Sequence, residues 1–338
     1  MTTQISVGLI GAGRIGRVHA ENLAFRITEA KVISVFDIAS AAAEQCAVDY
    51  QIPNVTTDYR TILADPQVDA VIICSSTDTH AQFITEAAQA GKHIFCEKPI
   101  ALDLTEIDQA LVAVDQAKIK LQVGFNRRFD PNFQQVHDAI RAGEIGELRL
   151  VHIISRDPAP PPLSYAKISG GIFLDMTIHD FDMARYLVGS EVDEIYASGG
   201  LMVEPSFAEA NDIDTAVVTL KFKNGVIATI DNCRQAAYGY DQRVEAFGSK
   251  GNLIANNNIP HQVTRSDANG VHAAKPLYFF LERYTQAYVN ELRSFIDAVV
   301  NDTPVPVTGL DARVPVVMGL AAWKSYRENR PVKLSEVE

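Results

Sequence analysis

The first 125 residues alternate between short apolar runs and longer segments whose apolar residues recur with helical spacing. The runs predict strands, and the segments between them predict amphipathic helices. Mostly apolar strands that alternate with helices are typical of a parallel sheet covered on both faces. The predicted strands are 4–10, 31–36, 68–74, 93–96 and 121–125, and the predicted helices are 14–25, 39–50, 79–91 and 104–118.

The pattern changes after about residue 145, where predicted strands follow one another without a helix between most of them. The stretch 215–222 partly alternates between apolar and polar residues, and Lys223-Asn224-Gly225 after it is a strong hairpin signal. These features predict a mostly antiparallel sheet with one face available to a partner. The predicted strands are 148–154, 194–198, 215–222, 225–233 and 243–247, and helices return at 281–301 and 311–328.

The sequence therefore predicts two domains of different architecture. A chain of 338 residues is long enough for two full cores. Residues 1–125 are expected to form an α/β Rossmann domain, and residues 126–338 an α+β domain with a largely antiparallel open sheet. We expect the second domain to bind the substrate and to make the subunit contacts. A last helix that packs back on the first domain is compatible with this division.

The first predicted strand runs directly into Gly11-Ala12-Gly13-Arg14-Ile15-Gly16, the GxGxxG pattern of a dinucleotide site. The first glycine allows a tight turn, the second lets the backbone approach a pyrophosphate, and the third lets the helix pack close to the strand. Asp37 closes the second strand, where a carboxylate would bind the hydroxyls of an adenosine ribose. Since no arginine follows Asp37 to bind a 2′-phosphate, the pattern favours NAD over NADP. A solvated Asp37 without a ligand is the alternative.

Composition excludes several classes of partner. The formal net charge of −12 argues against nucleic acid or an anionic membrane as a main partner. No apolar stretch is long enough to span a membrane, and the chain enters its first strand without a leader-like segment, so we expect a soluble cytoplasmic protein. The four cysteines show no CxxC spacing and the eight histidines form no recognisable ligand set, so we predict reduced thiols and no metal.

Two short segments carry candidate catalytic residues. Lys98 follows the fourth predicted strand, at the edge of a parallel sheet where ligands bind. Asp175 and His179 are four residues apart, so a helix would place both side chains on one face. A carboxylate beside a histidine can orient the imidazole and stabilise its cationic form during proton abstraction. The alternatives are a surface lysine and a purely structural pair of aspartate and histidine.

Polar residues cluster in three further segments, at 126–130, 156–157 and 238–242. Each cluster alone is compatible with a solvated turn. Together they provide the hydrogen-bond donors and acceptors that a polyol pocket needs.

Four ordered motifs carry a resemblance that extends over nearly the whole chain. GAGRIG at 11–16, EKP at 97–99, NRRFD at 126–130 and GGIFLDMTIHDFDMARYL at 170–187 together resemble the glucose-fructose oxidoreductase/inositol dehydrogenase/rhizopine-catabolism family. Within that family, SRDPAPPP at 155–162 and the DMTIHDFDMAR segment look most like the inositol 2-dehydrogenases. The resemblance implies NAD-dependent oxidation of a cyclic polyol, myo-inositol to 2-keto-myo-inositol, by a homotetramer.

The resemblance also implies a set of site residues. Lys98, Asp175 and His179 take the places of the catalytic lysine, aspartate and histidine. The expected cofactor-binding residues are Gly11, Gly13, Arg14, Ile15, Gly16, Asp37, Ser75, Thr77, His80, Glu97 and Lys98. The expected substrate-binding residues are Lys98, Asn126, Arg127, Asp157, Asp175, Thr177, His179, Tyr238 and Tyr284.

Other functions stay open at this point. A scyllo-inositol or pyranose dehydrogenase would use the same chemistry, because these substrates differ in the orientation of single hydroxyls. Some relatives are NAD-dependent glycosidases, which oxidise a sugar transiently and regenerate the cofactor. A non-catalytic dinucleotide sensor would need only the glycine turn and Asp37, so the presence of Lys98, Asp175 and His179 counts against it.

Overall fold

The computed structural model describes residues 4–337 of the chain. In its N-terminal part, strands and helices alternate from the first strand to residue 124. The strands are β1 Ile5–Ile10, β2 Ala30–Phe36, β3 Asn54–Thr56, β4 Ala70–Ile73, β5 His93–Glu97 and β6 Leu121–Gly124. The helices are α1 Arg14–Phe25, α2 Ser40–Tyr50, α3 Arg60–Ala64, α4 Thr77–Gln89 and α5 Leu104–Ala117.

These strands form one parallel sheet in the order β3-β2-β1-β4-β5-β6. The strand order reverses between β1 and β4, and ligands of open α/β sheets bind at such a switch point, outside the carboxyl ends of the strands. The predicted Rossmann topology is therefore confirmed. The sequence analysis missed β3, because a largely exposed strand of three residues is too short to show a hydrophobic pattern.

The rest of the chain folds around a second sheet. Its strands, with those of a small hairpin, are β7 Leu148–Arg156, β8 Val192–Gly200, β9 Thr215–Phe222, β10 Ile227–Cys233, β11 Asp241–Gly248, β12 Asn252–Ala255, β13 Arg265–Asp267, β14 Gly270–His272 and β15 Val332–Lys333. The helices are α6 Pro131–Arg141, α7 Leu163–Ala166, α8 Ile172–Asp175, α9 Thr177–Val188, α10 Phe280–Arg283, α11 Thr285–Val300 and α12 Gly309–Glu328. Short 3₁₀ helices lie at Asn126–Phe129, Pro205–Ala210 and Leu334–Glu336.

The second sheet has seven strands in the order β12-β11-β7-β10-β9-β8-β15, and β13 pairs with β14 in a separate hairpin. Its pairings are antiparallel except that of β10 with β7, which is parallel. The prediction of a largely antiparallel sheet is confirmed. The sequence analysis missed the hairpin strands β13 and β14 and, in the seven-stranded sheet, β12 and β15, which lie at the two edges of that sheet. Such short strands carry little hydrophobic pattern.

One face of this sheet is buried, and apolar side chains are exposed on the other. Along β9 and β10, every second residue is buried, as the two-residue period of a strand requires. On the opposite face, Leu150 pairs in register with Ile227 on one side and with Phe247 on the other, and all three are exposed. These three residues, which we call the apolar strip, form a continuous row across the adjacent strands β11, β7 and β10.

The chain groups into two units that differ from the two predicted segments. The first unit contains the residues up to Phe129 together with Gln286–Val314, and the second contains Asp130–Thr285 and Pro315–Glu338. The first unit therefore includes most of α11, which the sequence analysis placed in the second domain. This helix contributes four apolar side chains to the core of the parallel sheet: Val289, Leu292, Phe295 and Ile296. The predicted roles of the two segments stay a prediction.

The C-terminal helices follow the prediction with one interruption. The predicted helix 281–301 is divided at Tyr284 into α10 and α11. The predicted helix 311–328 is observed as α12, which begins two residues earlier and continues through Pro315. Within residues 4–337, no helix is both long enough and apolar enough to cross a membrane.

Candidate active site

The glycine turn has the backbone geometry that its three glycines predict. Gly11 has a φ of +102°, and a Cβ there would lie 2.6 Å from the carbonyl carbon of Cys74. A Cβ on Gly16 would lie 1.9 Å from the carbonyl oxygen of Gly11, so α1 packs directly against the turn. Around Gly13, no described atom lies within 4 Å of the place where a Cβ would be. The turn is thus closed towards the protein and open at Gly13, where a pyrophosphate would approach.

The start of α1 and the end of β2 flank this opening. Helix α1 begins at Arg14 with no side-chain cap, Ile15 lies half-buried in its first turn, and that turn contains no acidic residue. Its first backbone N–H groups therefore suit an anion. Asp37 lies beside them, because its Oδ2 accepts a hydrogen bond from the N–H of Ala12 at 2.7 Å and its Oδ1 accepts one from Ala39 at 2.9 Å.

His80 connects the turns that follow β4 and β5. Its Nε2 lies 3.0 Å from the carbonyl oxygen of Ser75, and its Nδ1 lies 2.8 Å from that of Pro99. Burial of His80 lowers the pKa of its imidazole. The hydroxyl of Ser75 lies 2.7 Å from that of Thr79, and Thr77 begins α4. The predicted cofactor residues Ser75, Thr77 and His80 therefore lie together. His80 also holds the turn that contains Lys98.

A buried polar cluster lies next to that turn. Glu97 ends β5, and its Oε1 lies 2.7 Å from Nε2 of His19 in α1. Glu291 of α11 is fully buried, and one side-chain nitrogen or oxygen atom from each of these three residues lies within 4.8 Å of the other two. Neither carboxylate oxygen of Glu291 has a hydrogen-bond partner among residues 4–337. Burial and then the charge of Glu97 raise the pKa of Glu291 well above its usual value.

An imidazole and two carboxylates are groups that can hold a metal ion. Here a hydrogen bond already joins His19 to Glu97. The raised pKa favours a neutral, protonated Glu291, whereas a carboxylate must be deprotonated to bind a metal. The predicted absence of a metal stays a prediction. Lys98 follows this cluster and is half-buried, before a cis peptide bond to Pro99.

Asn126 and Arg127 lie in the 3₁₀ helix directly after β6, and both are buried. Arg128 beside them forms an ion pair with Asp311 at 3.1 Å. Because β6 is parallel to β5, β4 and β1, its end lies at the same edge of the sheet as theirs. The first unit therefore brings its predicted cofactor residues, Lys98, Asn126 and Arg127 to one edge.

In the second unit, Asp175 and His179 do not share one continuous helix. Helix α8 ends at Asp175, and α9 begins at Thr177, with Met176 between them at φ −95° and ψ −59°. The side chains of Asp175 and His179 are both half-buried, although most of their neighbours in these helices are fully buried. The turn before α8 requires Gly171, whose φ is +77°. A Cβ there would lie 2.6 Å from the ring of Trp323.

Asp175 is held by two residues that the sequence analysis did not single out. Its Oδ1 accepts a hydrogen bond from the hydroxyl of Tyr165 at 2.8 Å, and its Oδ2 accepts one from Arg234 at 3.1 Å. Arg234 also faces Asp212 at 3.7 Å. The charge of Asp157, which directly follows β7, acts on both Arg234 and Tyr165. The structure therefore brings the predicted residues Asp157 and Asp175 around one buried guanidinium.

Thr177 directs its hydroxyl into the interior of the protein. It is fully buried, and its Oγ1 donates a hydrogen bond to Oδ1 of Asn232 at 2.6 Å. The amide of Asn232 donates in turn to Oδ2 of Asp180 at 2.8 Å. This buried chain joins the start of α9 to β10, so the hydroxyl that we expected to contact the substrate is engaged within the fold.

The two predicted tyrosines differ in their surroundings. Tyr238 is exposed, and its hydroxyl donates to Oδ2 of Asp241 at 2.5 Å. Tyr284 is buried at the break between α10 and α11, with its ring edge-on to that of Tyr240 at a centroid distance of 6.0 Å. The part of both tyrosines in substrate binding stays a prediction.

The sequence analysis missed the residues that hold the predicted ones in place, because they belong to no motif. One signal was available for Arg234, which directly follows the predicted strand 225–233 and has no other charged residue within two positions on either side. A buried arginine needs a carboxylate partner. The missed residues that contact or adjoin predicted site residues are His19, Tyr165, Asp212, Arg234 and Glu291.

The chain matches two protein families in sequence. Residues 5–125 match the oxidoreductase family with an NAD-binding Rossmann fold, and residues 133–254 match the GFO/IDH/MocA C-terminal domain. The chain is 50% identical over 338 residues to the uncharacterized oxidoreductase YrbE of Bacillus subtilis, covering 100% of this chain and 99% of that protein. It is 46% identical over 331 residues to the myo-inositol 2-dehydrogenase of Thermotoga maritima, covering 98% and 99%.

Solved structures agree with this result. A probable dehydrogenase from Thermotoga maritima has a TM-score of 0.97 and 46% identity, over 99% of this chain and 100% of that one. A scyllo-inositol dehydrogenase from Lactobacillus casei, solved with NAD(H) and scyllo-inositol, has a TM-score of 0.92 and 31% identity, over 98% and 99%. The chain therefore belongs to the GFO/IDH/MocA oxidoreductase family, and its N-terminal part is an NAD-binding Rossmann domain.

Proposed function

We propose that this protein oxidises myo-inositol to 2-keto-myo-inositol, with NAD as the hydride acceptor. The name and full-length similarity of the Thermotoga maritima relative support the choice of substrate. The observation that carries the chemistry is the half-buried His179, which follows closely after a carboxylate whose two oxygens are both held by other residues. A histidine placed in this way can act as a general base.

The first unit fits a resident NAD. The space at Gly13 and the uncapped start of α1 suit the pyrophosphate, and the anchored carboxylate of Asp37 suits the adenosine ribose. When bound, NAD supplies carbon 4 of the nicotinamide as the acceptor of the hydride. His80 connects the turn that contains Ser75, just before Thr77 at the start of α4, to the turn that contains Lys98, and we place these three residues along the remainder of the proposed cofactor site.

His179 removes the proton from the hydroxyl that is oxidised. The negative charge of Asp175 stabilises the imidazolium that forms, and its fixed carboxylate orients the ring. A positioned base contributes about 10²–10⁴-fold in rate, which is the contribution that this mechanism assigns to His179.

The proposal gives Lys98 the task of donating a hydrogen bond to the reacting oxygen, which favours the negative charge that develops there. The other hydroxyls of the polyol need both donors and acceptors. Arg127 and Asn126 supply donors, and Asp157 supplies acceptors. Tyr238 and Tyr284 complete the proposed polyol site. Thr177 supports that site indirectly, because its hydrogen bond to Asn232 holds the start of α9 in place.

We also propose a homotetramer in the cytoplasm, with subunit contacts on the open face of the seven-stranded sheet. The apolar strip Leu150, Ile227 and Phe247 is exposed on that face, and contiguous exposed apolar side chains mark protein contacts. All four cysteines are free, which suits a reducing compartment.

The test is NADH absorbance with purified protein, NAD and a panel of myo-, scyllo- and chiro-inositol, glucose and aryl glycosides. We expect the highest kcat/KM with myo-inositol. A higher value with scyllo-inositol, the substrate bound in the Lactobacillus casei structure, would retain the mechanism and overturn the stereochemistry. Glycoside cleavage without net NADH would instead assign the chain to the glycosidases. Absence of any reaction with NAD bound would overturn the proposal.

A further inference from the structure

The Asp175 carboxylate is held in a defined plane. Tyr165 donates to Oδ1 at 2.8 Å, and Nη1 of Arg234 donates to Oδ2 at 3.1 Å. Arg234 is only 1% exposed, so its guanidinium is an interior group and not a surface partner. Hydrogen bonds to both oxygens fix the orientation of a carboxylate as well as its position.

Arg234 is itself fixed by the fold. It directly follows β10, and its backbone N–H donates to the carbonyl of Asp214 at 2.8 Å. Its Nη2 faces Oδ2 of Asp212 at 3.7 Å, and Oδ1 of Asp212 accepts a hydrogen bond from the N–H of Ile172 at 2.8 Å. Since Ile172 begins α8 and Asp175 ends it, Arg234 connects both ends of this short helix to β10.

The charges around Asp175 come from several elements. Burial opposes the charge of Arg234, but Asp175, Asp212 and Asp157 together outweigh burial and raise its pKa. Burial raises the pKa of Asp212. Burial and the charge of Asp175 raise the pKa of Tyr165, which keeps its hydroxyl a donor at neutral pH. One buried cation therefore offsets a group of three carboxylates.

We infer that Arg234 is a positioning residue for the proposed reaction, which fixes the Asp175 carboxylate and offsets part of its negative charge. The inference rests on the proposed function. An uncompensated carboxylate close to His179 would favour its cationic form, and a cationic imidazole cannot accept a proton. By reducing the field of Asp175, Arg234 keeps His179 available as a base at a lower pH.

The experiment is the pH profile of kcat/KM for Arg234→Gln, Arg234→Lys and the wild type, with the best polyol of the panel. For Arg234→Gln we expect kcat to fall about 100-fold, because a misplaced catalytic group costs rate of this order. We also expect the acidic limb of its profile to move up by about one pH unit or more, because a positive charge has been lost. Arg234→Lys should lower kcat but keep the limb near that of the wild type, because it retains the charge without the planar fork.

Two further variants separate positioning from general destabilisation. Tyr165→Phe removes the other hydrogen bond to Asp175 without a change of charge, so kcat should fall by about three- to tenfold with no shift of the limb. Arg185→Gln is the matched control, since Arg185 is also buried and pairs with Glu191 at 2.7 Å in the same unit. We expect Arg185→Gln to lower thermal stability and to leave the kinetic profile unchanged.

The inference is overturned if Arg234→Gln is folded, with kcat within about threefold of the wild type and an unmoved acidic limb. If Arg234→Gln does not fold, the profiles of Arg234→Lys and Tyr165→Phe decide the question. An acidic limb that moves by the same amount in both variants would overturn the inference. Asp175→Asn and His179→Ala distinguish this failure from that of the proposed function. If these two variants lose activity while Arg234→Gln keeps it, only the inference fails, whereas full activity of both overturns the catalytic assignment itself.

Discussion

His179 is the single residue on which the proposed chemistry depends most directly. We expect His179→Ala to lower kcat by about 10²–10⁴-fold, the usual contribution of a positioned base. Its affinity for NAD, measured by calorimetry, should stay near that of the wild type, because the glycine turn and Asp37 are unchanged. His261→Ala is the control, since His261 is an exposed histidine of the same unit. A kcat of His179→Ala within tenfold of the wild type would contradict the assignment. A tenfold change in kcat corresponds to about 1.4 kcal/mol of activation free energy.

Glu291 is predicted to make the fold less stable as pH rises. Its folded-state pKa lies above that of the unfolded chain, because burial and Glu97 disfavour the charged form. Below the unfolded-state pKa both states are protonated, and Glu291 contributes no pH dependence to the stability. Above that value the unfolded state releases its proton more readily, so the free energy of unfolding falls with rising pH until the folded-state pKa is reached.

Glu291→Gln removes this titration and keeps the shape of the side chain. We expect it to be more stable than the wild type in the alkaline range, because the amide does not titrate and each unit by which folding raises a carboxyl pKa costs about 1.4 kcal/mol. Urea unfolding at about pH 5 and about pH 8 measures the difference, which should be larger at the higher pH. Glu44→Gln, on the exposed side of α2, should show no difference at either pH. A gain that is equal at both pH values would contradict the prediction.

At the scale of elements, the packing of α1 against the glycine turn predicts different effects for substitutions at two of its glycines, one on stability and one on NAD affinity. A Cβ on Gly16 would lie 1.9 Å from the Gly11 carbonyl oxygen, so Gly16→Ala must displace α1 and should cost about 1–3 kcal/mol of stability. A Cβ on Gly13 meets no described atom within 4 Å. Gly13→Ala should therefore unfold like the wild type and lose NAD affinity by at least about tenfold, about 1.4 kcal/mol, because its methyl group occupies the pyrophosphate approach.

Thermal unfolding and NAD titration of both variants test this pair. If Gly13→Ala binds NAD as tightly as the wild type, the pyrophosphate does not approach the turn at that residue. If Gly16→Ala keeps full stability, the contact between α1 and the turn is looser than the structure shows.

At the scale of the whole molecule, the open face of the seven-stranded sheet determines the expected assembly. Phe247→Glu places a charge in the apolar strip, where burial against a second subunit would be costly. We expect this variant to sediment as a smaller species than the wild type, which should sediment as a tetramer in analytical ultracentrifugation. Val112→Glu, on the exposed side of α5, should leave the mass unchanged. A monomeric wild type, or a tetrameric Phe247→Glu, would place the contacts elsewhere.

The sequence by itself determined the two architectures and the position of the candidate chemistry. Most strands of the parallel sheet are short apolar runs, and GxGxxG directly follows the first of them. Both signals depend on residues that are adjacent in the chain, so the sequence alone shows them. The strong hairpin signal after 215–222 identified the second sheet in the same way, and the observed β9 and β10 confirm it. What the local patterns did not predict were short edge strands such as β3 and β15.

Only the tertiary structure decided which residues hold the candidate groups in place. Arg234 and Tyr165 reach Asp175 from 59 and 10 residues away, and Glu291 lies close to Glu97 although nearly two hundred residues separate them. No periodicity relates such positions, because the packing of strands and helices brings them together. The same packing buried the hydroxyl of Thr177 against Asn232 and placed α11 in the core of the first unit. Local sequence specifies elements through propensity and pattern, whereas partners of buried polar groups are decided by which elements pack together.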